Sequence, residues 1–179
     1  MHGLTDSNRQ RHLSRIDGVV SSGRGNAAGH IQAQAADLRQ LLAMDPFPGS
    51  LNVVLDKPVR FEERLALPFD AGERYLWHAR LNDQPVWLYR WKGAPLHIVE
   101  VISGQKLRDC LHLADGDRIN IEIVPEAIAE VTWEERVAWS VVWLGRRSWY
   151  YKSNMYRFKT SRYCRRYGAV QTTEFKAAL

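Results

Sequence analysis

The 179-residue chain has few cysteines and no long apolar run, and both absences narrow its class. Cys110 and Cys164 do not have CxxC spacing, which argues against a disulfide framework and against a zinc site. No apolar stretch approaches the roughly eighteen residues that a membrane-spanning helix needs. Residues 1–15 are polar and lack the apolar core of a secretory signal. We therefore expect a cytoplasmic protein with a polar N-terminal lead-in.

Signatures of several enzyme classes are also missing. The histidines are not clustered at metal-ligand spacing, and no serine lies in a Gly-x-Ser-x-Gly elbow. The loop that begins at Gly23 is not followed by the Lys-Ser or Lys-Thr of a Walker motif, and its glycine spacing is not that of a Rossmann fingerprint. His97 alternates with apolar neighbours, so we expect it at a strand surface rather than at a metal.

Positive charge is concentrated at the C-terminal end. Residues 145–179 contain nine Lys or Arg and one acidic residue, a balance of +8, whereas the other 144 residues carry −3. Aromatic residues are interleaved with these basic side chains, as in segments that bind single-stranded nucleic acid or anionic membranes. A third interpretation is a helical appendage whose rings pack on the body of the protein. We favour the appendage, then an anionic membrane surface, and nucleic acid last.

The residue pattern predicts a mainly β body. We expect strands at 16–22, 51–55, 75–81, 85–91, 96–102 and 118–123, a helix at 31–44, connecting loop at 57–73 and a short helix within 105–113. The elements do not alternate as β and α units, so a small closed barrel is favoured over a doubly wound parallel sheet. Beyond residue 125, Thr132 and Glu135 match a capping box at the start of a helix that Gly145 ends, and the spacing of Val137, Val141 and Leu144 marks one face of that helix.

One stretch, Pro46-Phe47-Pro48-Gly49-Ser50-Leu51-Asn52, combines a rigid turn with the start of a strand. Ser50 and Asn52 are two residues apart, so both side chains point to one face of an extended chain. A hydroxyl and an amide oxygen on a stiff turn suit Mg²⁺, with phosphate and water as further ligands. The alternative is a turn in which both groups form local hydrogen bonds.

Three other features are candidates for chemistry. Gly23-Arg24-Gly25 is able to direct backbone N–H groups at an anion, although such a loop is more often a simple turn. Glu100 lies in an apolar strand, where a carboxylate needs a partner or a task unless it faces water. Lys106 and Arg108 begin a short helix, where they would either meet phosphate or be solvated.

Taken in order, these segments resemble the archaeal-type CTP-dependent riboflavin kinase family over about residues 16–124. The family begins with a Gly-x-Val-x-Ser-Gly-x-Gly loop, which residues 18–25 match, and continues with Pro-[Tyr/Phe]-Pro-Gly-Thr-Leu-Asn, which residues 46–52 match with serine for threonine. The family then has a glutamate in a strand, a Leu-Arg pair and an Asp-Gly-Asp turn. In this chain the corresponding residues are Glu100, Leu107-Arg108 and Asp115-Gly116-Asp117.

The resemblance implies a six-stranded cradle-loop barrel with one or two helices, which transfers the γ-phosphate of CTP to the 5′-hydroxyl of riboflavin and gives FMN and CDP. It implies that Ser50 and Asn52 bind Mg²⁺. It also implies that Glu100 contacts the flavin. We further expect Glu100 to act in catalysis by accepting the hydroxyl proton, and Lys92 to lie on the acceptor side. The implied nucleotide-binding residues are Gly23, Arg24, Gly25, Asn26, Ala27, Ala28, Gln105, Lys106, Leu107 and Arg108.

The chain departs from the family at two positions. The family loop continues Gly-Glu-Gly, whereas this chain reads Gly25-Asn26-Ala27. The family has an Arg-Thr pair whose Thr contacts the flavin, whereas this chain has Arg90-Trp91-Lys92. The metal and nucleotide halves therefore match better than the acceptor half. The same kinase chemistry on a sugar or lipid-linked hydroxyl, or a non-catalytic nucleotide- or anion-binding module, remains an alternative.

The expected organisation has three parts: a polar lead-in at 1–15, the kinase-like barrel at 16–124, and a basic, aromatic-rich helical extension at 125–179. The expected partners are CTP, a small hydroxyl acceptor and Mg²⁺. An anionic membrane surface is a further expected partner of the extension.

Overall fold

The computed structural model describes residues 12–23 and 25–152. Predictions for residues 1–11, for Arg24 and for residues 153–179 lie outside this part of the chain. The strands are β1 (Ser14–Ser21), β2 (Leu51–Leu55), β3 (Arg60–Phe61), β4 (Leu67–Phe69), β5 (Arg74–Leu81), β6 (Gln84–Trp91), β7 (Ile98–Ile102), β8 (Arg118–Ile123) and β9 (Ile128–Ala129). The helices are α1 (Asn26–Ala33), α2 (Ala35–Leu42), α3 (Leu107–Cys110), α4 (Trp133–Trp143) and α5 (Trp149–Lys152), with 3₁₀ turns at Glu63–Leu65, Asp70–Gly72 and Pro125–Ala127.

Six antiparallel strands close into a barrel in the order β5-β6-β7-β2-β1-β8. The closure is made by β8, which pairs back onto β5 through Arg80 with Glu122 and Leu81 with Ile121. β4 adds to the outer edge of β5, and β3 pairs with β9 in a separate ribbon. The predicted six-stranded barrel is confirmed.

Alternation along the strands divides the side chains between two faces. Val53, Leu88, Val99 and Ile121 belong to one buried cluster that fills the barrel. Their strand neighbours point to the outer face, because successive side chains alternate. Part of that outer face is covered by α1 and α2, whose Ile31, Leu38 and Leu42 form a second apolar cluster with residues of β4, β5, β6 and β7.

Three predictions of local structure need correction. The helix predicted at 31–44 is two helices that start at Asn26 and break at Gln34, since Ala27 and Ala28 favour helix although the apolar periodicity begins only at Ile31. The expected loop at 57–73 contains β3 and β4 and two 3₁₀ turns. His97, expected at a strand surface, is completely buried, because the extension packs over it.

The described part of the extension, residues 125–152, is mainly helical and packs against the barrel. The capping box that was predicted at its start is present, with Glu135 N–H donating to Thr132 Oγ1 at 3.3 Å and Thr132 N–H donating to Glu135 Oε2 at 2.9 Å. The buried apolar residues of α4 are Trp139, Val142 and Trp143, which pack on Leu96 and Val131.

The opposite face of α4 is apolar and exposed. The spacing had singled out Val137, Val141 and Leu144 as one helical face, and in the structure this face points to solvent, with Val141 and Leu144 66% and 69% exposed. The tryptophans take the buried side because their larger rings remove more apolar surface from water. No helix in the described ranges is long and apolar enough to cross a membrane.

Candidate active site

Strand register aligns a row of polar residues across the outer face of the barrel. Asn52 of β2 is directly opposite Ser21 of β1 on one side and Glu100 of β7 on the other. Glu100 is in turn opposite Tyr89 of β6. Residues that pair directly point to the same face, so four strands contribute to one line: Ser21, Asn52, Glu100 and Tyr89. We call this line the polar row.

Asn52, Glu100 and Tyr89 of the polar row line a pocket of about 290 Å³. The strands supply its floor, the start of α1 and the Gly49–Ser50 turn supply one wall, and α5 supplies part of another. Among the described residues, the pocket is lined by Gly25, Ala27, Ala28, His30, Gly49, Ser50, Asn52, Arg74, Tyr89, Trp91, Glu100, Tyr150 and Tyr151.

Ser50 and Glu100 form the shortest polar contact of the site. The Ser50 hydroxyl donates to Glu100 Oε2 at 2.5 Å. Glu100 is only 7% exposed, and burial raises the pKa of its carboxyl above the ordinary value of 4.5, while the Ser50 hydrogen bond and the positive charge of Arg74 act in the opposite direction. Because the carboxyl of Glu100 is desolvated, it holds a proton more readily than an exposed glutamate does.

Asn52 is held against the backbone of the glycine loop. A Cβ atom added to Gly23 would lie 2.1 Å from Asn52 Nδ2, closer than real Cβ contacts allow. A glycine at position 23 therefore lets the loop after β1 lie directly beside the Asn52 amide. This close approach gives a structural reason for the Gly23 that the sequence motif singled out.

The start of α1 faces the same pocket. Gly25 precedes the helix with φ of 74°, in the left-handed region that glycine adopts without strain. Ala27 and Ala28, in the first turn, line the pocket, and this turn has no acidic residue. A helix N-terminus with free N–H groups and no competing carboxylate is suited to bind an anion.

Arg74 supplies a fixed positive charge that the sequence had not singled out. It is the first residue of β5 and donates through Nε to Asp70 Oδ2 at 2.7 Å and through Nη1 to Tyr89 OH at 2.6 Å, and its Nη2 lies 3.1 Å from His30 Nδ1. Burial is the largest influence on Tyr89 and raises the pKa of its hydroxyl to about 12, so this hydroxyl stays protonated. The i,i+4 pairing of Asp70 and Arg74 was visible in the sequence, but nothing there connected it to the strand row.

The other predicted nucleotide-binding residues lie beyond the β1 end of the row, away from the pocket lining. Lys106 pairs with Asp109 at 3.0 Å, and Arg108 pairs with Asp115 at 2.6 Å. The Asp115 carboxyl has a lowered pKa because it also accepts hydrogen bonds from Ser22, which follows the row residue Ser21. Leu107 is buried in the barrel core and Gln105 N–H donates to Ser103 Oγ. Of the Gly23–Ala28 loop, Gly25, Ala27 and Ala28 line the pocket, and Arg24 lies outside the described residues.

At the other end of the row, Arg90 and Trp91 face opposite sides of β6. Trp91 lines the pocket together with Tyr89, two residues before it. Arg90 is 1% exposed and donates to the carbonyls of Ile98 at 2.7 Å and Val59 at 2.8 Å, and burial lowers the pKa of its guanidinium to about 9. Lys92, the predicted acceptor-side residue, is not among the residues that line the pocket.

The C-terminal extension reaches the pocket through α5, which the sequence had not predicted to be near the site. Arg147, just before α5, donates to the backbone carbonyl of Leu55 at 3.2 Å. His97 accepts from Trp139 Nε1 at 3.0 Å, and its other ring nitrogen lies 3.3 Å from the Arg147 carbonyl. These contacts hold the segment that carries Tyr150 and Tyr151.

The donor set of the pocket fits a magnesium ion. No group of three or more His, Cys, Asp or Glu residues suited to a metal occurs in the described ranges, so an all-protein metal cage is not found there. Ser50, Asn52 and Glu100 instead bring a hydroxyl, an amide and a carboxylate into one pocket. Mg²⁺ commonly takes few protein oxygens and completes its shell with substrate phosphates and water, which agrees with such a set.

Comparison with known proteins gives a consistent family assignment. Residues 20–123, more than half of the chain, match the family model CTP-dep_RFKase, described as "Domain of unknown function DUF120". Proteins named riboflavin kinase are similar: 32% identity to that of Pyrococcus abyssi (61% of this chain, 58% of that protein), and 33% to that of Pyrobaculum islandicum (63% and 61%). The riboflavin kinase of Methanobrevibacter smithii is 30% identical over 60% of this chain and 98% of its own. The chain spans about three fifths of the length of the first two relatives.

Proposed function

The chain belongs to the CTP-dependent riboflavin kinase family, and we propose that it transfers the γ-phosphate of CTP to the 5′-hydroxyl of riboflavin, giving FMN and CDP. The observation that carries the proposal is the row of Asn52 and Glu100, with Ser50 bonded to Glu100, between an anion-binding helix start and the cation of Arg74. Phosphoryl transfer requires mainly positioning and charge neutralisation, and this pocket has groups for both.

Each end of the row has its own role in this proposal. The glycine loop, the start of α1 and the Arg108 region lie toward β1 and would hold the nucleotide phosphates. Trp91 and α5 lie toward β6 and would receive the acceptor. Glu100 lies between them, where an acceptor hydroxyl would meet the transferred phosphoryl group, and Arg74 would stabilise its negative charge.

Ser50 and Asn52 would hold Mg²⁺, with Glu100 beside them. The bound ion would supply neutralisation of the phosphate charge. The Ser50 proton is directed to Glu100, so the lone pairs of its oxygen remain available as ligands.

Glu100 would orient the acceptor hydroxyl and accept its proton. Without a bound ion, burial raises the pKa of Glu100, whereas a neighbouring Mg²⁺ would lower it; in the active complex, activity should fall at acidic pH as Glu100 takes up a proton. Glu100→Gln should remove most of the turnover, and the remaining activity should no longer fall at acidic pH. If Glu100→Gln kept kcat and only raised KM for the acceptor, the role of Glu100 would be positional.

The deciding experiment measures FMN and CDP formation with riboflavin, comparing CTP with ATP and Mg²⁺ with a chelator. We expect activity with CTP that requires Mg²⁺. Ser50→Ala and Asn52→Ala should each raise the Mg²⁺ concentration needed for half-maximal activity by at least about tenfold. Ser50→Thr is the matched control, because it retains the hydroxyl and should retain activity.

Other outcomes of this assay identify the alternatives. CTP consumption that needs a sugar or lipid-linked hydroxyl instead of riboflavin would replace the acceptor and keep the chemistry. Nucleotide binding without turnover, together with salt-sensitive binding to nucleic acid that depends on residues 145–179, would instead indicate a binding module.

A second proposal concerns an anionic membrane surface. It is supported by the exposed apolar residues Val141 and Leu144, which lie just before the basic segment 145–179 in the sequence. That segment has a charge balance of +8. We expect sedimentation with phosphatidylserine vesicles but not with pure phosphatidylcholine vesicles, weakened by salt and by Leu144→Asp. Leu65→Asp, at an exposed leucine elsewhere, is the control. Equal behaviour of both variants would contradict the proposal.

A further inference from the structure

The pocket has two chemically different sides. The floor and one wall are formed by polar and small residues such as Ser50, Asn52 and Ala28, whereas the opposite side consists of the rings of Trp91, Tyr150 and Tyr151. Phosphate, metal and hydroxyl chemistry requires the first side only. The aromatic side is therefore suited to another part of a ligand.

The rings on this side form an ordered wall. Tyr150 lies nearly parallel to Trp91, with centroids 6.0 Å apart and an interplanar angle of 26°. Tyr151 is almost perpendicular to Tyr150, at 5.1 Å and 85°. Both tyrosines are partly buried, so they have exposed surface while their positions are fixed by neighbours.

Packing behind the wall holds it in position. Trp143 contacts Tyr150 edge-on at 6.2 Å and lies 4.7 Å from the ring of the buried His97. Arg147, which precedes α5, is bonded to the backbone at the end of β2. The wall is thus fixed to the strand that carries Asn52, and its distance from the polar row is set by the fold.

Both tyrosines lie outside residues 20–123, the part of the chain that matches the family. The feature is therefore an addition of the extension to the barrel. A partly buried aromatic surface next to a polar row favours a planar ring system that carries a hydroxyl on a flexible arm, because the ring system would pack against the near-parallel rings of Trp91 and Tyr150 while the hydroxyl reaches Glu100.

We propose that Tyr150 and Tyr151 are specificity-determining residues that form, with Trp91, the acceptor wall and select a planar heteroaromatic acceptor. The identification of the acceptor as a flavin rests on the proposed function. The wall itself concerns only the acceptor half of the pocket. In the proposed function the nucleotide would bind at the β1 end, so nucleotide binding should not depend on this wall.

The test measures flavin binding and nucleotide use separately in the full-length chain. Quenching of flavin fluorescence reports binding of riboflavin and of lumiflavin, which has the ring system without the sugar chain, and steady-state kinetics reports KM for CTP. Tyr150→Ala and Tyr151→Ala should weaken binding of both flavins by roughly tenfold to hundredfold and leave KM for CTP unchanged. Tyr150→Phe and Tyr151→Phe should retain binding, because the ring remains.

Trp149→Ala is the matched control, since Trp149 is on the same helix, is 46% exposed and does not line the pocket. It should bind flavins as the wild type does, and equal melting temperatures show that the variants are folded. Normal flavin binding by the alanine variants, or a raised KM for CTP with flavin binding unchanged, would contradict the proposed acceptor wall. In either case, phosphorylation of riboflavin by the wild type would still support the proposed function. Wall-dependent binding of flavin without phosphate transfer would reject the kinase function and keep the wall. If the wild type bound neither flavin, the wall would be rejected.

Discussion

At the scale of single residues, the site depends on side chains that are small or absent as much as on charged ones. The chain passes beside Asn52 because position 23 has no Cβ, and Ser50 contacts Glu100 through one short hydrogen bond. Such contacts place oxygen atoms where a cation and phosphates would bind. Their tolerance for added atoms is correspondingly low.

Gly23→Ala should disable the site without unfolding the protein. The new methyl group would displace the Asn52 amide, because the closest approach would be 2.1 Å. A misplacement of this size costs roughly a hundredfold in rate where geometry carries the catalysis. The measurement is kcat/KM for riboflavin phosphorylation as a function of Mg²⁺ concentration.

Gly29→Ala is the control for this substitution. Gly29 is in α1, and a Cβ there meets nothing within 4 Å. Alanine should stabilise the helix by about 1 kcal/mol and leave activity unchanged. Unchanged activity of Gly23→Ala would contradict the role assigned to the Gly23–Asn52 contact.

Residue types in the sequence indicated part of this site. Ser50, Asn52 and Glu100 were candidates because an oxygen donor on a stiff turn, or a carboxylate in an apolar strand, needs an explanation, and the structure brings all three into one pocket. Arg74 was missed, because an arginine at the start of a strand resembles any solvated residue until the register shows that Tyr89 lies beside Glu100.

At the scale of elements, the segment that follows β6 is held by a buried arginine instead of by a strand ladder. Arg90 donates to the carbonyls of Val59, Leu96 and Ile98, and its guanidinium lies 4.5 Å from the centre of the Phe61 ring. This arrangement joins the β6–β7 connection to the segment before β3. Burying the charge costs free energy, which the hydrogen bonds must exceed.

Arg90→Met should lower the free energy of unfolding by about 3 kcal/mol or more, because the carbonyls lose charged donors while they remain buried. Arg90→Lys should restore little of it, since an ammonium group lacks the planar fork. Chemical denaturation measures both. Arg80→Met, on the neighbouring strand with the side chain 46% exposed, should change stability by less than about 0.5 kcal/mol. A similar loss in Arg80→Met and Arg90→Met would contradict the proposed clamp.

Long, alternating strands and the capped helix α4 could be predicted from the sequence, since their signals are local. The strands β3 and β4 could not, because they are two and three residues long and lie among Pro58, Pro68 and Gly72. The spacing of Val137, Val141 and Leu144 found a helical face but not its direction, which depends on what packs against α4.

At the scale of the whole molecule, barrel closure and the docking of the extension are long-range events that local patterns do not encode. The pairing of β5 with β8 joins residues about forty positions apart, and His97 meets residues of α4 and the Arg147 turn. The division at residue 125 stays a prediction. The contacts across it nevertheless explain why His97, expected at a surface, is buried.

The His97 contact makes the stability of the whole molecule depend on pH. Burial lowers the pKa of His97 to about 3, from an ordinary value of 6.5. Nδ1 accepts a hydrogen bond from Trp139 Nε1–H, so protonation of Nδ1 would bring two donors together. At a pH between these two pKa values, His97 is protonated in the unfolded chain and neutral in the folded chain. This contribution to stability is therefore present above pH 6.5 and is lost as the pH falls toward 3.

Denaturant unfolding at a series of pH values tests this coupling. Relative to His97→Phe, the wild type should lose about 1.4 kcal/mol for each pH unit between 6.5 and 3, because one proton is taken up on unfolding. His78→Phe, at an exposed histidine of β5, should keep the wild-type slope. Since His97 supports the segment that carries Tyr150, flavin binding should weaken in the same acidic range before the barrel unfolds. A His97→Phe slope equal to that of the wild type would show that protonation of this buried histidine is not coupled to unfolding.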